Sequence, residues 1–549
     1  MESTVGEIII ETLTDLGVQV VFGIPGVHSV ELYRGLAQKN IRHITPRHEQ
    51  GAGFMADGYA RRSGMPGVCF VITGPGLTNI ITPMAQAYAD RIPMLVISTI
   101  NPTPELGKNS GLLHALPDQS KLAKSVSLKS YTITNPKNAS KIVSKAFFET
   151  LGSRKGPVHI EIPTNILEER ISNVPRNVGL PIRLKSKKFK SDLLKFAKTI
   201  ESEQSIIIFA GGGAVNASEE LSELSEKLCA PVILTINARG LMSSSSMALP
   251  ATPSLPAVRT FIKNYDIAIV IGSELGPTDY DMFGTGEKLK FKKIIRIDTD
   301  PNPNTGTPKI NLNITQDSKL FLQEINRYLL EKNLSRKRLK SDVEKMVSNT
   351  KAQIRKNLTD LEKKSIALIE GIYLLLPKAV IVGDSTKPVY AGNDFIETPN
   401  PKTWFNAATG FGALGYAPPS AIGAQIADPE SQVICLVGDG GLQFSLTEIG
   451  SALDEKLPII YLIWNNNGYK EISDFMDSKN IKRIGVTPSP PNFKFIAEAY
   501  SIPYFHLTKI SSLQKVLDKA AKKMREKEFK PCIIEVDEHN FSLGSQNNG

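Results

Sequence analysis

The sequence predicts an α/β protein made of three doubly wound parallel-sheet domains in series. Its 549 residues correspond to about three domains of ordinary size. Short apolar runs that end in glycine or proline alternate with helical patterns, as they do where parallel strands lead into helices. These runs form three groups, which predict domains at residues 1–172, 190–330 and 365–549.

The runs of each group follow one another in the same way. The first group contains VQVVFGIPG, GVCFVITGPG, IPMLVIST and PVHIEIP, and a basic stretch at about 172–190 follows it. The second contains SIIIFAGGG, PVILTI, IAIVIGSEL and KIIRIDTD, and a charged helical stretch leads from it to the third, which contains AVIVGDST, QVICLVGDGG, PIIYLIWNNNG and CIIEVDEHN. Ligands of such sheets bind beyond the carboxyl ends of the strands, so functional residues are expected where these runs end.

Composition and charge exclude several classes of function. Hydrophobic residues make up 41% and charged residues 22%, which is typical of a globular protein. The net charge of +10 comes from three basic stretches, 183–198, 327–364 and 515–530, which resemble linkers or solvated helix faces and not a nucleic-acid site. Four cysteines without metal-ligand spacing and the lack of a long apolar run predict a cytoplasmic protein that does not bind membranes.

One glycine-rich loop matches a dinucleotide pattern only in its letters. The string G-x-G-x-x-G occurs at Gly410, Gly412 and Gly415. A dinucleotide site needs an apolar strand directly before the pattern and an acidic residue at the end of the next strand. Here WFNAAT precedes the pattern and Asp428 comes before the next strand, so NAD is not expected.

Two successive predicted strands end in residues suited to a metal ion and a diphosphate. One strand ends in Gly438-Asp439-Gly440 and the next in Asn465-Asn466-Asn467-Gly468. Carboxylate, amide and carbonyl oxygens are the ligands that Mg²⁺ prefers, and glycines allow the backbone to approach phosphates closely. The alternative is two unrelated turns, in which glycine, aspartate and asparagine are also common.

With these motifs, and with RHEQGAGFMADGYAR and ITGPGLTN, the chain resembles the thiamine diphosphate-dependent superfamily of acetolactate synthases and 2-oxo acid decarboxylases. The resemblance covers nearly all 549 residues and implies the thiamine diphosphate-binding fold. It implies that the N-terminal domain binds the aminopyrimidine, the C-terminal domain binds the diphosphate, and the middle domain is not catalytic. It also implies a homodimer or homotetramer with active sites between subunits.

The resemblance assigns ligands residue by residue. Asp439 and Asn466 would bind Mg²⁺ through their side chains and Gly468 through its carbonyl. Leu414 would support the bent conformation of the cofactor, and the carbonyl of Gly412 would accept from its 4′-amino group. The other expected cofactor contacts are Ser385, Thr386, Gly438, Gly440, Gly441 and Tyr469.

Glu49 matches the glutamate that hydrogen-bonds N1′ of the pyrimidine and so promotes the tautomer in which the 4′ nitrogen acts as a base. Its alternative role is a surface carboxylate at a helix start. His114 and His28 are the remaining acid–base candidates near the substrate. Pyruvate decarboxylases carry two acids where this chain has Val27 and Ile472, so a close relationship to them is not expected.

The resemblance also bears on cofactor and substrate. Flavin-binding acetolactate synthases carry an arginine where this chain has Glu274, so FAD is not expected. Several segments, among them LLHALPDQ and VGDSTKPVYAGN, are most similar to the 5-guanidino-2-oxopentanoate (2-ketoarginine) decarboxylase branch. A guanidinium needs a carboxylate partner, for which Glu471 and Asp474, flanking Ile472, are candidates; the alternative for both acids is a solvated helix start.

The favoured hypothesis is therefore non-oxidative decarboxylation of a 2-oxo acid to an aldehyde with thiamine diphosphate and Mg²⁺. A first alternative is carboligation of the acetolactate synthase type, in which the carbon that lost carbon dioxide attacks a second 2-oxo acid. A second alternative is a non-catalytic, cofactor-binding subunit.

Overall fold

The computed structural model describes residues 2–108, 110–172, 188–201, 205–282, 284–303, 308–332 and 339–543. In these residues, three six-stranded sheets follow one another along the chain, and all strands within each sheet are parallel. The predicted fold class is thereby confirmed. Most of the predicted basic stretch at 172–190 lies outside the described residues.

The N-terminal sheet has, in spatial order, the strands Arg42–Ile44, Val20–Gly23, Gly67–Val71, Met94–Ile100, Pro157–Pro163 and Lys129–Thr132. Its helices are Val5–Asp15, Val30–Leu36, Glu49–Ser63, Pro75–Asp90, Gln119–Lys124, Ala139–Thr150 and Thr164–Glu168. A short antiparallel pair, Ser3–Thr4 with Arg170–Ile171, joins the two ends of this domain.

The middle sheet has the order Ala248–Leu249, Val232–Leu234, Ile206–Ala210, Ile267–Ile271, Lys293–Asp298 and Leu312–Thr315. Its helices are Phe189–Glu201, Ser218–Leu228, Pro256–Ile262, Pro277–Tyr280 and Ser318–Lys332. The predicted charged helical stretch contains the helix Lys340–Asn357, which leads to the third domain.

The C-terminal sheet has the order Trp404–Asn406, Val380–Gly383, Val433–Gly438, Ile460–Asn465, Cys532–Asp537 and Tyr504–His506. Its helices are Asp360–Leu375, Lys387–Asp394, Ala417–Ala427, Asp439–Gln443, Glu448–Asp454, Lys470–Ser478, Phe493–Ala499 and Leu513–Met524. Gly438 pairs with Trp464 in register, so the two predicted metal-binding segments leave the sheet at the same edge.

The N- and C-terminal domains share one hydrophobic core. Helix Glu49–Ser63 packs along helix Ala417–Ala427, and both helices contribute glycines to the contact. A Cβ atom on Gly58 would lie 2.0 Å from the carbonyl oxygen of Ser420, and one on Gly423 would lie 1.8 Å from that of Met55. Only glycine at these two positions allows the helix backbones to approach so closely. Glu49 is therefore held on a rigid helix.

Candidate active site

Three polar groups converge where the two predicted metal-binding segments meet. The side-chain amide of Asn466 lies 2.8 Å from the carbonyl oxygen of Gly468 and 3.2 Å from Oδ1 of Asp439. With its nitrogen toward them, the amide donates to both oxygens. With its oxygen toward them, a carboxylate, an amide oxygen and a carbonyl oxygen lie together, and these are ligands that a hard divalent cation prefers. The donor set thus fits Mg²⁺.

Asp439 is held by the backbone of the neighbouring segment. Its carboxylate is 1% exposed and accepts from the N–H groups of Asn466, at 3.3 Å, and of Gly468, at 2.9 Å. Burial raises the pKa of Asp439, and these backbone donors act in the opposite direction. Gly468 has φ +143°, and a Cβ there would lie 2.7 Å from the carbonyl oxygen of Val486, so this position requires glycine.

The expected diphosphate contacts lie around the same segment. Thr386 precedes helix Lys387–Asp394, and its Oγ1 lies 3.2 Å from where a Cβ on Gly438 would be. A Cβ on Gly440 would lie 2.6 Å from the ring of Tyr469. These glycines keep the backbone bare beside Thr386 and Tyr469, where phosphate oxygens could approach it.

Asp384 lies beside the candidate site and is not predicted by the sequence motifs. It is completely buried; Oδ1 accepts from the N–H of Ser385 at 2.9 Å and Oδ2 from that of Ala417 at 3.0 Å. Burial raises the pKa of Asp384, and the backbone donors oppose the shift. Asp384 therefore joins the Ser385 segment to the loop that carries Gly412 and Leu414.

The loop of Gly412 and Leu414 is anchored to the N-terminal domain of the same chain. Oε1 of Gln86 accepts from the N–H of Ala413 at 3.2 Å. Gly412 has φ +77° and is exposed, and Leu414 is half-buried. The carbonyl of Gly412 and the side chain of Leu414 thus lie on a fixed, accessible loop, as their predicted roles require.

Glu49 is the first residue of its helix and is half-buried. Nδ2 of Asn79 donates to Oε2 of Glu49 at 2.9 Å. Just before Glu49, the buried carboxylate of Glu448 accepts from the N–H groups of Arg47 and His48 at 3.0 Å and 3.2 Å. Burial raises the pKa of Glu448. Asn79 and Glu448 are not predicted by the sequence motifs, because nothing local in the sequence links positions 79 or 448 to position 49.

His28 and His114 come together, although 85 residues of sequence separate them. Their ring centroids lie 5.4 Å apart with the rings nearly perpendicular. Burial and the neighbouring His114 lower the pKa of His28, which favours the neutral ring at pH 7. A Cβ on Gly74 would lie 2.3 Å from the carbonyl oxygen of His114, so this glycine allows the two segments to meet.

The predicted guanidinium ligands are already paired with lysines. Glu471 Oε2 lies 2.6 Å from Nζ of Lys387, and Asp474 forms an ion pair with Lys470 one helical turn earlier. Ile472 lies between them with half of its side chain exposed. A cationic substrate would therefore have to replace a lysine as the partner of either acid.

Glu274, which the resemblance compares with a flavin-binding arginine, forms ion pairs with the N-terminal domain. It contacts Arg91, and it lies 3.5 Å from Nη1 of Arg154. Arg91 also lies 3.1 Å from Asp300 in the middle domain. This end of the middle sheet is thus bound to the N-terminal domain by charge.

The candidate metal site is not a cluster of charged ligands. In the part of the chain that the structure describes, no group of three or more His, Cys, Asp or Glu is placed to hold a metal. The one carboxylate, one amide and one carbonyl of the Asp439 site fall outside that definition. Across the same residues, every helix is too short or too polar to cross a membrane.

Comparison with known proteins gives three matches in chain order. Residues 3–122 match the N-terminal thiamine pyrophosphate-binding domain of thiamine pyrophosphate enzymes, residues 193–325 match their central domain, and residues 384–536 match their C-terminal thiamine pyrophosphate-binding domain. The first and last matches contain Glu49 and the Asp439 segment, respectively. The two halves of the candidate site therefore fall in two cofactor-binding domains.

Individual relatives align over most of their length. The chain is 36% identical over 507 residues to the probable 2-ketoarginine decarboxylase AruI of Pseudomonas aeruginosa, which covers 90% of this chain and 88% of that protein. It is 28% identical over 557 residues to the acetolactate synthase large subunit of Corynebacterium glutamicum, covering 96% and 85%. It is 26% identical over 564 residues to the acetolactate synthase isozyme 3 large subunit of Escherichia coli, covering 99% and 97%.

These matches confirm the resemblance inferred from GDG…NN and Glu49. They span the three sheets in the observed order, and they include both segments that bring polar side chains together. The chain belongs to the thiamine pyrophosphate-dependent enzymes.

Proposed function

We propose that this enzyme decarboxylates a 2-oxo acid to an aldehyde, using thiamine diphosphate held by Mg²⁺. The observation that carries the proposal is the convergence of Asp439, Asn466 and Gly468 oxygens beside the glycine-lined Thr386 segment. When bound, the cofactor supplies a carbon nucleophile and accepts the electron pair released with carbon dioxide. The protein supplies the metal ligands, the position of the substrate and the proton transfers.

Glu49 is proposed to share a proton with the pyrimidine nitrogen of the cofactor. Its hydrogen bond from Asn79 leaves Oε1 free for the pyrimidine nitrogen, and Glu448 fixes the backbone before it. Since the side chain starts a helix that shares a core with the C-terminal domain, its position is rigid. Rigid placement of an acid is what general acid–base catalysis needs.

His28 and His114 are the proposed contacts of the 2-oxo acid. A 2-oxo acid carries only acceptor oxygens, and imidazole N–H groups complement them. Half-buried rings at 5.4 Å can both face one small molecule. The proton that completes the aldehyde would come through this pair.

For the substrate, we propose 5-guanidino-2-oxopentanoate. The 36% identity with the probable 2-ketoarginine decarboxylase supports it. Glu471 would bind the guanidinium by exchanging Lys387 for the substrate, and Asp474 would add a second carboxylate one turn away. Arginine-type cations form paired hydrogen bonds to carboxylates that an ammonium cannot, which favours the exchange.

We also propose that the complete site forms between two subunits of a homodimer or homotetramer. No hydrogen bond or ion pair among the described residues joins Glu49 to Gly412 or Asp439. Large apolar side chains are exposed beside both half-sites: Val27 and Leu113 on one, Phe411, Phe444 and Phe475 on the other. Exposed apolar groups near a site are typical of interfaces.

The proposed enzyme works without FAD, since the ion pairs of Glu274 with Arg91 and Arg154 leave a carboxylate where a flavin would need a donor. A cytoplasmic location is proposed from the cysteines. All four are unpaired, and Cys69, Cys435 and Cys532 are buried, as expected in a reducing compartment.

Carboligation is the second candidate, because acetolactate synthases also align over nearly the whole chain. The test is carbon dioxide release by the purified enzyme with Mg²⁺, with and without thiamine diphosphate, from pyruvate and from branched, aromatic and guanidino 2-oxo acids. An aldehyde, formed fastest from the guanidino acid, is the expected product. Acetolactate from pyruvate would favour carboligation, and no release from any acid would favour a non-catalytic subunit.

A further inference from the structure

Two buried threonine hydroxyls form a hydrogen-bonded relay that ends at His28. Nδ1 of His28 is 3.0 Å from Oγ1 of Thr73, which is 2.9 Å from Oγ1 of Thr99. Both threonines are completely buried, so water does not supply alternative partners. Thr73 follows strand Gly67–Val71, and Thr99 lies in the neighbouring strand Met94–Ile100.

The direction of the hydrogen bonds in this relay is fixed at Thr99. The backbone N–H of Thr73 donates to Oγ1 of Thr99 at 3.1 Å, so this oxygen already acts as an acceptor. The hydroxyl proton of Thr99 still needs an acceptor. Among the described residues, the acceptor in hydrogen-bond contact with it is Oγ1 of Thr73. A buried hydroxyl donates wherever an acceptor is available, so Thr99 donates to Thr73.

The same reasoning gives the direction of the hydrogen bond between Thr73 and His28. Because Oγ1 of Thr73 accepts from Thr99, its own proton points to Nδ1 of His28. A neutral imidazole has one donor and one acceptor nitrogen. Because Nδ1 accepts the hydroxyl proton of Thr73, the ring proton lies on Nε2. If Nδ1 carried the proton instead, Thr73 would turn its own proton toward Thr99, whose proton would then lose its acceptor.

Gln119 fixes the backbone around the two threonines of this relay. Its Oε1 accepts from the N–H of Gly74 at 3.0 Å, and its Nε2 donates to the carbonyl oxygen of Thr99 at 2.8 Å. Gln119 thereby ties the turn after Thr73 to the strand of Thr99. The spacing between the two hydroxyls follows from these backbone anchors.

We infer that Thr73 and Thr99 are positioning residues that hold His28 in its Nε2–H tautomer, so that His28 presents a donor to the substrate. The tautomer follows from the contacts alone, and only its catalytic consequence rests on the proposed function. A 2-oxo acid offers a carboxylate and a carbonyl oxygen, both acceptors, so the opposite tautomer would set a lone pair against them. His28 thus acts as a hydrogen-bond donor and not as a base at Nε2.

The test is ¹⁵N NMR of the holoenzyme labelled with ¹⁵N-histidine, at about pH 8, where an ordinary histidine is neutral. His28→Gln assigns the signal. We expect His28 to show a protonated Nε2 and an acceptor Nδ1, and Thr73→Val to produce a mixture of tautomers. Thr73→Ser, which keeps the hydroxyl, should restore the protonated Nε2 and acceptor Nδ1. Thr150→Val is the matched control, since Thr150 is buried and does not take part in these hydrogen bonds.

Kinetics separate the inference from the proposed function. With the best 2-oxo acid, Thr73→Val should lower kcat/KM about tenfold, and Thr73→Ser should restore most of it. A protonated Nδ1 in the unaltered enzyme, or an unchanged tautomer in Thr73→Val, would overturn the inference. If the tautomer changes as expected but kcat/KM matches that of Thr150→Val, the inference stands and the role of His28 in the proposed function fails.

Discussion

The two halves of the candidate site bring together different chemical groups. On the N-terminal half, donors and acceptors match: Asn79 donates to Glu49, and Thr73 faces His28. On the C-terminal half, the Asp439 carboxylate, the Asn466 amide and the Gly468 carbonyl lie close together. The N-terminal half thus presents groups that can hold a proton, and the C-terminal half presents oxygens that can bind a cation. Substitutions in the C-terminal half should therefore weaken cofactor binding, and substitutions in the N-terminal half should slow proton transfer.

The largest effect is expected from Asp439→Asn, which removes the one charge among the three converging oxygens. Loss of a direct metal ligand should weaken Mg²⁺ and cofactor binding by more than about 100-fold, since loss of a mere outer partner already costs 10- to 100-fold. Activity should disappear with it. Isothermal titration with thiamine diphosphate at several Mg²⁺ concentrations measures the loss. Asp428→Asn, which changes a half-buried carboxylate paired with Arg62, is the control. Cofactor affinity in Asp439→Asn equal to that of the unaltered enzyme would refute the metal site.

Glu49→Gln should impair only the N-terminal half of the candidate site. The amide keeps the size of the side chain and can still contact Asn79, but it cannot share a proton with the pyrimidine. Turnover should fall about 1000-fold, within the range of general acid–base catalysis, while cofactor affinity stays within a few-fold. Carbon dioxide release and the same titration measure the two effects. Joint loss of binding and turnover would contradict the division between the halves.

Glu448→Ala tests the link between the halves. It leaves the N–H groups of Arg47 and His48 without their buried acceptor, which costs about 1–3 kcal/mol. A small drop in kcat should accompany the loss of stability, because the start of the Glu49 helix is released. Glu455→Ala, which removes an exposed ion pair with Arg42 between the same domains, should cost less than about 1 kcal/mol. Urea unfolding compares the two variants, and equal costs would argue against a specific role for Glu448.

The smallest effect is a pH dependence of stability that comes from His159 in the N-terminal domain. Burial lowers the pKa of His159 to about 3, and the ring bonds to Ser98 and Ser130. The unfolded chain protonates this residue near the ordinary pKa of 6.5, so the free energy of unfolding falls as pH drops from 6.5 toward 3. The free energy of unfolding should fall by about 1 kcal/mol between pH 6.5 and 5.5, and the slope should approach about 1.4 kcal/mol per pH unit below that.

His159→Gln should flatten this slope in urea unfolding at about pH 6.5 and 5.5, whereas His506→Gln, at an exposed position, should leave it unchanged. An equal slope in His159→Gln would assign the pH dependence to other groups.

The parts of the site that the sequence predicts are those that leave a local pattern. Apolar runs ending in glycine mark the strands, and GDG and NN follow two neighbouring strands of one sheet, so the fold and the metal oxygens are accessible to sequence reasoning. Glu448, Asp384 and Thr99 are not, because their function depends on backbone groups of segments far away in the chain. The pairing of Glu471 with Lys387 was missed for the same reason: 83 residues separate them, and only the fold brings them together.

Subunit mixing tests the central claim, that the two halves work together across a dimer interface, most directly. Glu49→Gln and Asp439→Asn are each expected to be inactive, but a heterodimer of the two would contain one site with both residues intact. After equal amounts of the two variants are dissociated and reassociated, about a quarter of the activity of the unaltered enzyme is expected, because half of the dimers are heterodimers and each has one intact site of two. Activity no higher than that of the separate variants, with heterodimers present, would place both residues in the same subunit's site and contradict the claim.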